Sequence, residues 1–125
     1  MNLNHIAIHS TSRENAIKFY NQLLGFEIAY EFSVAEELAE NIFGVKVELN
    51  VLMFKKNDIS IEVFISEKIE NNKHPINHFC LDVKERDGLI KHLRANGIII
   101  KEIDRGDHTT IFVKDFDLNL IEIKE

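Results

Sequence analysis

One cysteine and one proline occur in 125 residues, and basic residues are outnumbered. A single cysteine leaves no intrachain disulfide and fits a reducing compartment. Fifteen Lys and Arg stand against 21 Asp and Glu, a formal charge of -6 with a pI near 5.5. That is no footprint for nucleic acid. No apolar run approaches the roughly 20 residues of a membrane span. The first residues also lack the charged and apolar regions of a signal peptide. These absences lead to the expectation of a soluble, acidic, cytoplasmic domain without nucleic-acid or membrane partners. Hydrophobic residues make up 45% of the chain, enough for a real core in one domain over 1–125.

The chain is written twice. Asn4-His5-Ile6-Ala7-Ile8 is restated as Asn77-His78-Phe79-Cys80-Leu81. Each His is followed by a helical segment and a glycine, Gly25 or Gly97. Each half then closes on an apolar strand with one Glu in its middle, Ile61-Glu62-Val63 or Ile121-Glu122-Ile123. Each half has about 60 residues, too few to bury a comfortable share of its own surface. The halves should therefore pack on each other or on a copy from a second chain.

Residues 3–9 alternate with period 2 and read as a strand bearing His5, Ala7 and His9 on one face. Ser12 suits a helix N-cap. Ala16, Ile17, Tyr20, Leu23 and Leu24 recur at helical spacing up to Gly25, a C-terminal stop. Phe26, Ile28, Tyr30 and Phe32 alternate as a second strand. Residues 33–44 have no counterpart in the other half. Ser33 with Glu36 has capping-box spacing, and Val34, Leu38 and Ile42 form one helical stripe, so a short amphipathic helix is expected to cover one end of the module. Val47, Leu49, Val51 and Met53 make a third strand, Asn57-Asp58 a turn, and 59–65 a fourth. A polar linker at 66–76 holds the only proline and separates module 1 (1–65) from module 2 (77–125). The second module repeats the order, with strands at 77–83, 98–103, 109–114 and 120–124. Its helix lies around 85–96 and carries Leu89, Ile90 and Leu93. The expectation is an α+β chain of two βαβββ modules.

Glu62 and Glu122 each sit between β-branched aliphatics, where a carboxylate is costly if buried without a partner. They either point to a wet strand face or serve as ligands; His5 and His78 are either core imidazoles or ligands. Two His and two Glu at matching places suit zinc, nickel, iron, cobalt or manganese, and the lack of thiolates argues against a structural zinc cage. His5 and His9 lie about 13 Å apart on an extended strand, too far to share an ion. His5 can meet His78 only if the modules face each other. Cys80 reads first as a small buried thiol and second as a pocket residue; His108 is a solvated loop residue or a substrate contact.

These marks resemble the vicinal oxygen chelate superfamily, which includes glyoxalase I, methylmalonyl-CoA epimerase, extradiol dioxygenases, and fosfomycin- and bleomycin-resistance proteins. The resemblance covers essentially the whole chain. It rests on Asn4-His5-Ile6-Ala7, the run Phe19-Tyr20 to Leu23-Leu24-Gly25-Phe26, Asn77-His78, and the run from Asp115 to Glu122. It implies a U-shaped mixed sheet around a divalent metal held by His5, Glu62, His78 and Glu122, a set similar to that of glyoxalase I. It further implies a lyase or isomerase acting on a small hemithioacetal or α-hydroxycarbonyl through an enediolate on the metal. Glu122 is the implied base, with Glu62 as its counterpart, and a homodimer is the implied assembly. Two alternatives stand beside it, an acyl-CoA epimerase and a metal-free binding protein of the bleomycin-resistance kind. The epimerase usually has Gln where Glu62 stands. His9 occupies the place where glyoxalase I commonly has an Arg that meets glutathione, which argues against glutathione as the thiol. Phe116 and Leu118 replace the family's Pro and Gly. A left-handed Leu118 would be strained, so that turn is expected to differ.

Overall fold

A computed structural model describes residues 3–69 and 76–125. The chain divides into two compact units, Met1–Asn72 and Lys73–Glu125. Positions 70–75 of the expected linker, Pro75 included, lie outside the described residues.

The first unit contains strand β1 (Ile6–Ser10), helix α1 (Arg13–Ala16) running on into a π-helical stretch (Ile17–Leu23), and strand β2 (Glu27–Val34). Helix α2 (Glu36–Phe43) and strands β3 (Leu49–Lys56) and β4 (Ile59–Ile65) follow. The strands form one mixed sheet in the order β1-β4-β3-β2, with β1 parallel to β4 and the other pairs antiparallel. The second unit repeats this with β5 (His78–Asp82), α3 (Arg86–Ala95), β6 (Ile99–Asp104), β7 (Thr109–Lys114) and β8 (Leu120–Lys124). Its sheet runs β5-β8-β7-β6, with β5 parallel to β8. The fold is α+β, two four-stranded mixed sheets with few helices. Among the described residues, no helix is long and apolar enough to cross a membrane.

Ser12 caps α1 as its sequence suggests, its side chain accepting from Asn15 N at 3.1 Å. The helix then widens. Leu24 N bonds back five residues to Phe19 O at 3.0 Å, the π pattern. In this wider turn the consecutive Phe19 and Tyr20 are both buried, with ring centroids 5.0 Å apart, and Tyr20 reaches Phe54 of β3 at 5.6 Å. Each such ring withdrawn from water contributes about 1.5–3 kcal/mol. The end is closed by Gly25 at φ 73 and by Lys56, whose Nζ donates to Leu24 O at 2.7 Å.

Two expectations about α2 are corrected. The capping box does not form, because Ser33 still belongs to β2 and its hydroxyl donates to Asn50 Oδ1 at 3.1 Å. Ala35 caps α2 without a side-chain bond. The buried contact of α2 is Ala39, packed with Val34, Leu49 and Val51, whereas Leu38 and Ile42 are exposed.

The turn between β7 and β8 keeps the left-handed residue: Leu118 has φ 64. The buried Asp115 explains how it is held. Its Oδ1 accepts from Asp117 N at 2.9 Å and Asn119 N at 2.8 Å, and its Oδ2 accepts from Asn119 Nδ2 at 2.6 Å. Leu118 N donates to Asp115 O at 3.0 Å. Cys80, expected to be buried, is exposed on β5.

Candidate metal centre

Strand pairing positions the acidic residues. Glu62 lies on β4 directly between Ala7 of β1 and Met53 of β3. Glu122 lies on β8 between Cys80 of β5 and Phe112 of β7. Directly paired residues share a sheet face, so each Glu has a defined set of neighbours.

Each unit brings its His to its Glu. His5, just ahead of β1, places Nε2 at 3.0 Å from Glu62 Oε2. His78, the first residue of β5, places Nε2 at 3.9 Å from Glu122 Oε2. The environments match closely: the imidazole side chains are 37% and 36% exposed, the carboxylates 15% in both cases. Neither Glu points into open solvent. Lys124 Nζ stands 3.5 Å from Glu122 Oε1, a contact that its sequence position, near the chain's end, did not signal.

The far nitrogen of each ring is also occupied. Nδ1 of His78 donates to the Ile76 carbonyl at 2.8 Å. Nδ1 of His5 lies 2.9 Å from Asn4 Oδ1, which accepts its proton. A bond of this kind fixes the tautomer and leaves Nε2 as a lone pair. In both units that lone pair faces a carboxylate oxygen. Facing acceptors of this kind are stabilised by a proton, a water or a metal ion placed between them. Nitrogen and oxygen ligands at about 2.1 Å from one ion are about 3.0 to 3.4 Å apart; the 3.0 Å of the first pair falls in that span and the 3.9 Å of the second lies outside it. Imidazole nitrogen beside carboxylate oxygen is a donor pair of the kind divalent metals accept. Among the described residues, no group of three or more His, Cys, Asp or Glu that could hold a metal ion is gathered; each unit presents one His–Glu pair.

Of the other residues singled out from sequence, His9 and His108 lie apart from these pairs, whereas Cys80 adjoins Glu122. His9 Nε2 bonds to Ser66 O at 2.9 Å and ties β1 to the segment after β4. His108 is an exposed loop residue with Nδ1 2.6 Å from Asp107 Oδ1. Cys80 neighbours Glu122, and its thiol pKa is raised, first by partial desolvation of the sulfur and then by the Glu122 charge. His78 is further steadied by the edge of Phe112, with ring centroids 5.5 Å apart.

No curated protein matches the chain by sequence. Several solved structures share its fold. A glyoxalase family protein from Enterococcus faecalis superposes with a TM-score of 0.76 at 22% identity, over 99% of this chain and 97% of that one. Glyoxalase I of Leishmania major, described as trypanothione-dependent, gives 0.74 at 19% identity, over 100% and 86%. A mutant of the fosfomycin resistance protein FosX from Listeria monocytogenes, complexed with Mn(II) and a dihydroxypropylphosphonic acid, gives 0.73 at 18%, over 98% and 88%. The family profile spans residues 2–123, and the chain belongs to the Glyoxalase/Bleomycin resistance protein/Dioxygenase superfamily.

Proposed function

We propose that the His5–Glu62 and His78–Glu122 pairs together hold one divalent cation, within a chain or across a homodimer, and that the protein is a glyoxalase-type lyase or isomerase. The observation that carries this is the repeated geometry: in both units an imidazole lone pair, set by a bond at Nδ1, faces a mostly covered carboxylate. When bound, the ion supplies Lewis acidity to two neighbouring oxygens of a small hemithioacetal or α-hydroxycarbonyl, typically worth several kcal/mol. Glu122 takes the proton from the carbon beside the carbonyl and returns it to the adjacent carbon. Glu62 stands at the equivalent place in the other unit and is the counterpart of Glu122. His5 and His78 stay fixed, because the Asn4 side chain and the Ile76 carbonyl orient their rings.

The test is isomerisation of the hemithioacetal of a 2-oxoaldehyde by metal-loaded protein. Glu122→Gln should lower turnover by a factor of about 10² or more, the usual contribution of a positioned base. Glu40→Gln, on the exposed side of α2, should not. Equal effects of the two substitutions would overturn the assignment of Glu122.

A further inference from the structure

The two His–Glu pairs differ in what surrounds the carboxylate. Glu122 divides its oxygens: Oε2 faces His78 Nε2 at 3.9 Å, and Oε1 faces Lys124 Nζ at 3.5 Å. The Lys124 side chain is 64% exposed and the carboxylate 15%, so a cation reaching in from solvent meets a mostly covered anion. In the first unit the imidazole is closer, with His5 Nε2 at 3.0 Å from Glu62 Oε2. The residue two places after Glu62 on β4 is Phe64, and the residues paired with Glu62 are Ala7 and Met53. None of the three bears a charge. Lys55 of β3 directs its Nζ to the Tyr30 ring, 5.8 Å away. Where Glu62 has Ala7, Glu122 has Cys80, a weak thiol donor. The halves repeat the ligands but not their supports.

A carboxylate that both holds an ion and moves a proton has to come off the ion as a ligand arrives. In mostly covered surroundings its freed charge is costly unless a cation or donor receives it. Glu122 has such a cation beside it, whereas the matching places around Glu62 are apolar. We propose that Lys124 is a positioning residue that receives the Glu122 carboxylate when an incoming ligand displaces it, and that this makes the second unit's Glu the displaceable one. The inference rests on the metal-site reading above. The longer His78–Glu122 separation agrees with a carboxylate already shared with Lys124. Lys101, on the same face, lies two strand spacings from Glu122 across Phe112, about 10 Å, too far to take that part.

The experiment measures two affinities of the full chain by calorimetry. The first is for Ni(II); the second is for acetohydroxamate, which chelates through neighbouring oxygens, on protein saturated with Ni(II). Lys124→Met should hold Ni(II) at least as tightly as the unaltered protein, yet bind the hydroxamate about fivefold more weakly, the scale of one partly exposed ion pair. Lys124→Arg keeps the cation and should return the hydroxamate affinity to within about twofold. Lys101→Met removes the same charge at about one Debye length and should leave both affinities unchanged. In a Glu122→Gln background, Lys124→Met should no longer weaken the hydroxamate, because a neutral amide leaves no charge to receive. An undiminished effect there would mean that Lys124 acts on the ligand directly and would overturn the proposal. An unchanged hydroxamate affinity in Lys124→Met would also overturn it. So would equal losses of Ni(II) and hydroxamate affinity, the mark of a merely structural role. These three results leave the metal site standing. Unaltered protein that takes Ni(II) but not the hydroxamate would overturn the displaceable carboxylate and with it the part given to Lys124. Unaltered protein that binds no Ni(II) would overturn the metal reading and this role together.

Discussion

Replacing Asp115 by Ala tests how the strand carrying Glu122 is anchored. The Asp115 carboxylate is 4% exposed and accepts from Asp117 N, Asn119 N and Asn119 Nδ2. Hydrogen bonds to a charged acceptor contribute about 1.5–3 kcal/mol each, and an abandoned buried donor costs about 1–3 kcal/mol. The three losses are not additive, since Leu118 is 55% exposed and water can enter at the turn. A net cost of about 3–5 kcal/mol follows, a large share of the 5–15 kcal/mol typical of a domain. Urea unfolding followed by circular dichroism should show the midpoint falling by more than about 1 M, given slopes of about 1–3 kcal/mol per M. Asp115→Asn keeps one oxygen for the two backbone donors and should lose roughly half as much. A midpoint for Asp115→Ala within about 0.3 M of the unaltered protein would refute the reasoning, because slopes of this size leave no room for three lost bonds.

Other positions give independent checks. At Leu118, with φ 64, Gly should be more stable than Ala by about 1 kcal/mol, since only Ala bears the left-handed penalty; thermal melts of the two variants decide it. Lys56→Met removes the donor to Leu24 O and should cost about 1 kcal/mol in the same melts; an unchanged melt would mean the helix end is held by other groups. Cys80 is exposed, yet its pKa is raised by desolvation and by Glu122. Its thiolate fraction at pH 7.5 is then below that of free cysteine, and alkylation by iodoacetamide should be slower; a faster reaction would contradict the direction of the shift.

Much of the fold was legible because period-2 alternation is strongest where one sheet face is buried. β4, β7 and β8 begin and end where the alternation does. The rest was hidden for identifiable reasons. At Ser33 a local capping pattern competed with strand pairing, and pairing to Asn50 won. The π-helical turn was missed because Ala16, Phe19, Tyr20, Leu23 and Leu24 also follow the spacing of an ordinary amphipathic α-helix, so the apolar pattern does not tell the two apart. At Leu118 the rule against left-handed residues was outweighed by the Asp115 network, which acts across four residues. Cys80 misled because composition says how often a thiol is buried, not whether its strand has a covered face. The His–Glu pairs were visible as a repeat in the chain, whereas the Ile76 carbonyl that orients His78 carries no sequence signal.

Metal stoichiometry bears most directly on the four-ligand centre. Titrating metal-free protein with Ni(II) or Mn(II) by calorimetry, alongside His5→Ala and His78→Ala, should give one ion per chain and a loss of affinity of similar size in both variants. Two ions per chain, or a variant that binds as tightly as the unaltered protein, would contradict a single centre built from both pairs.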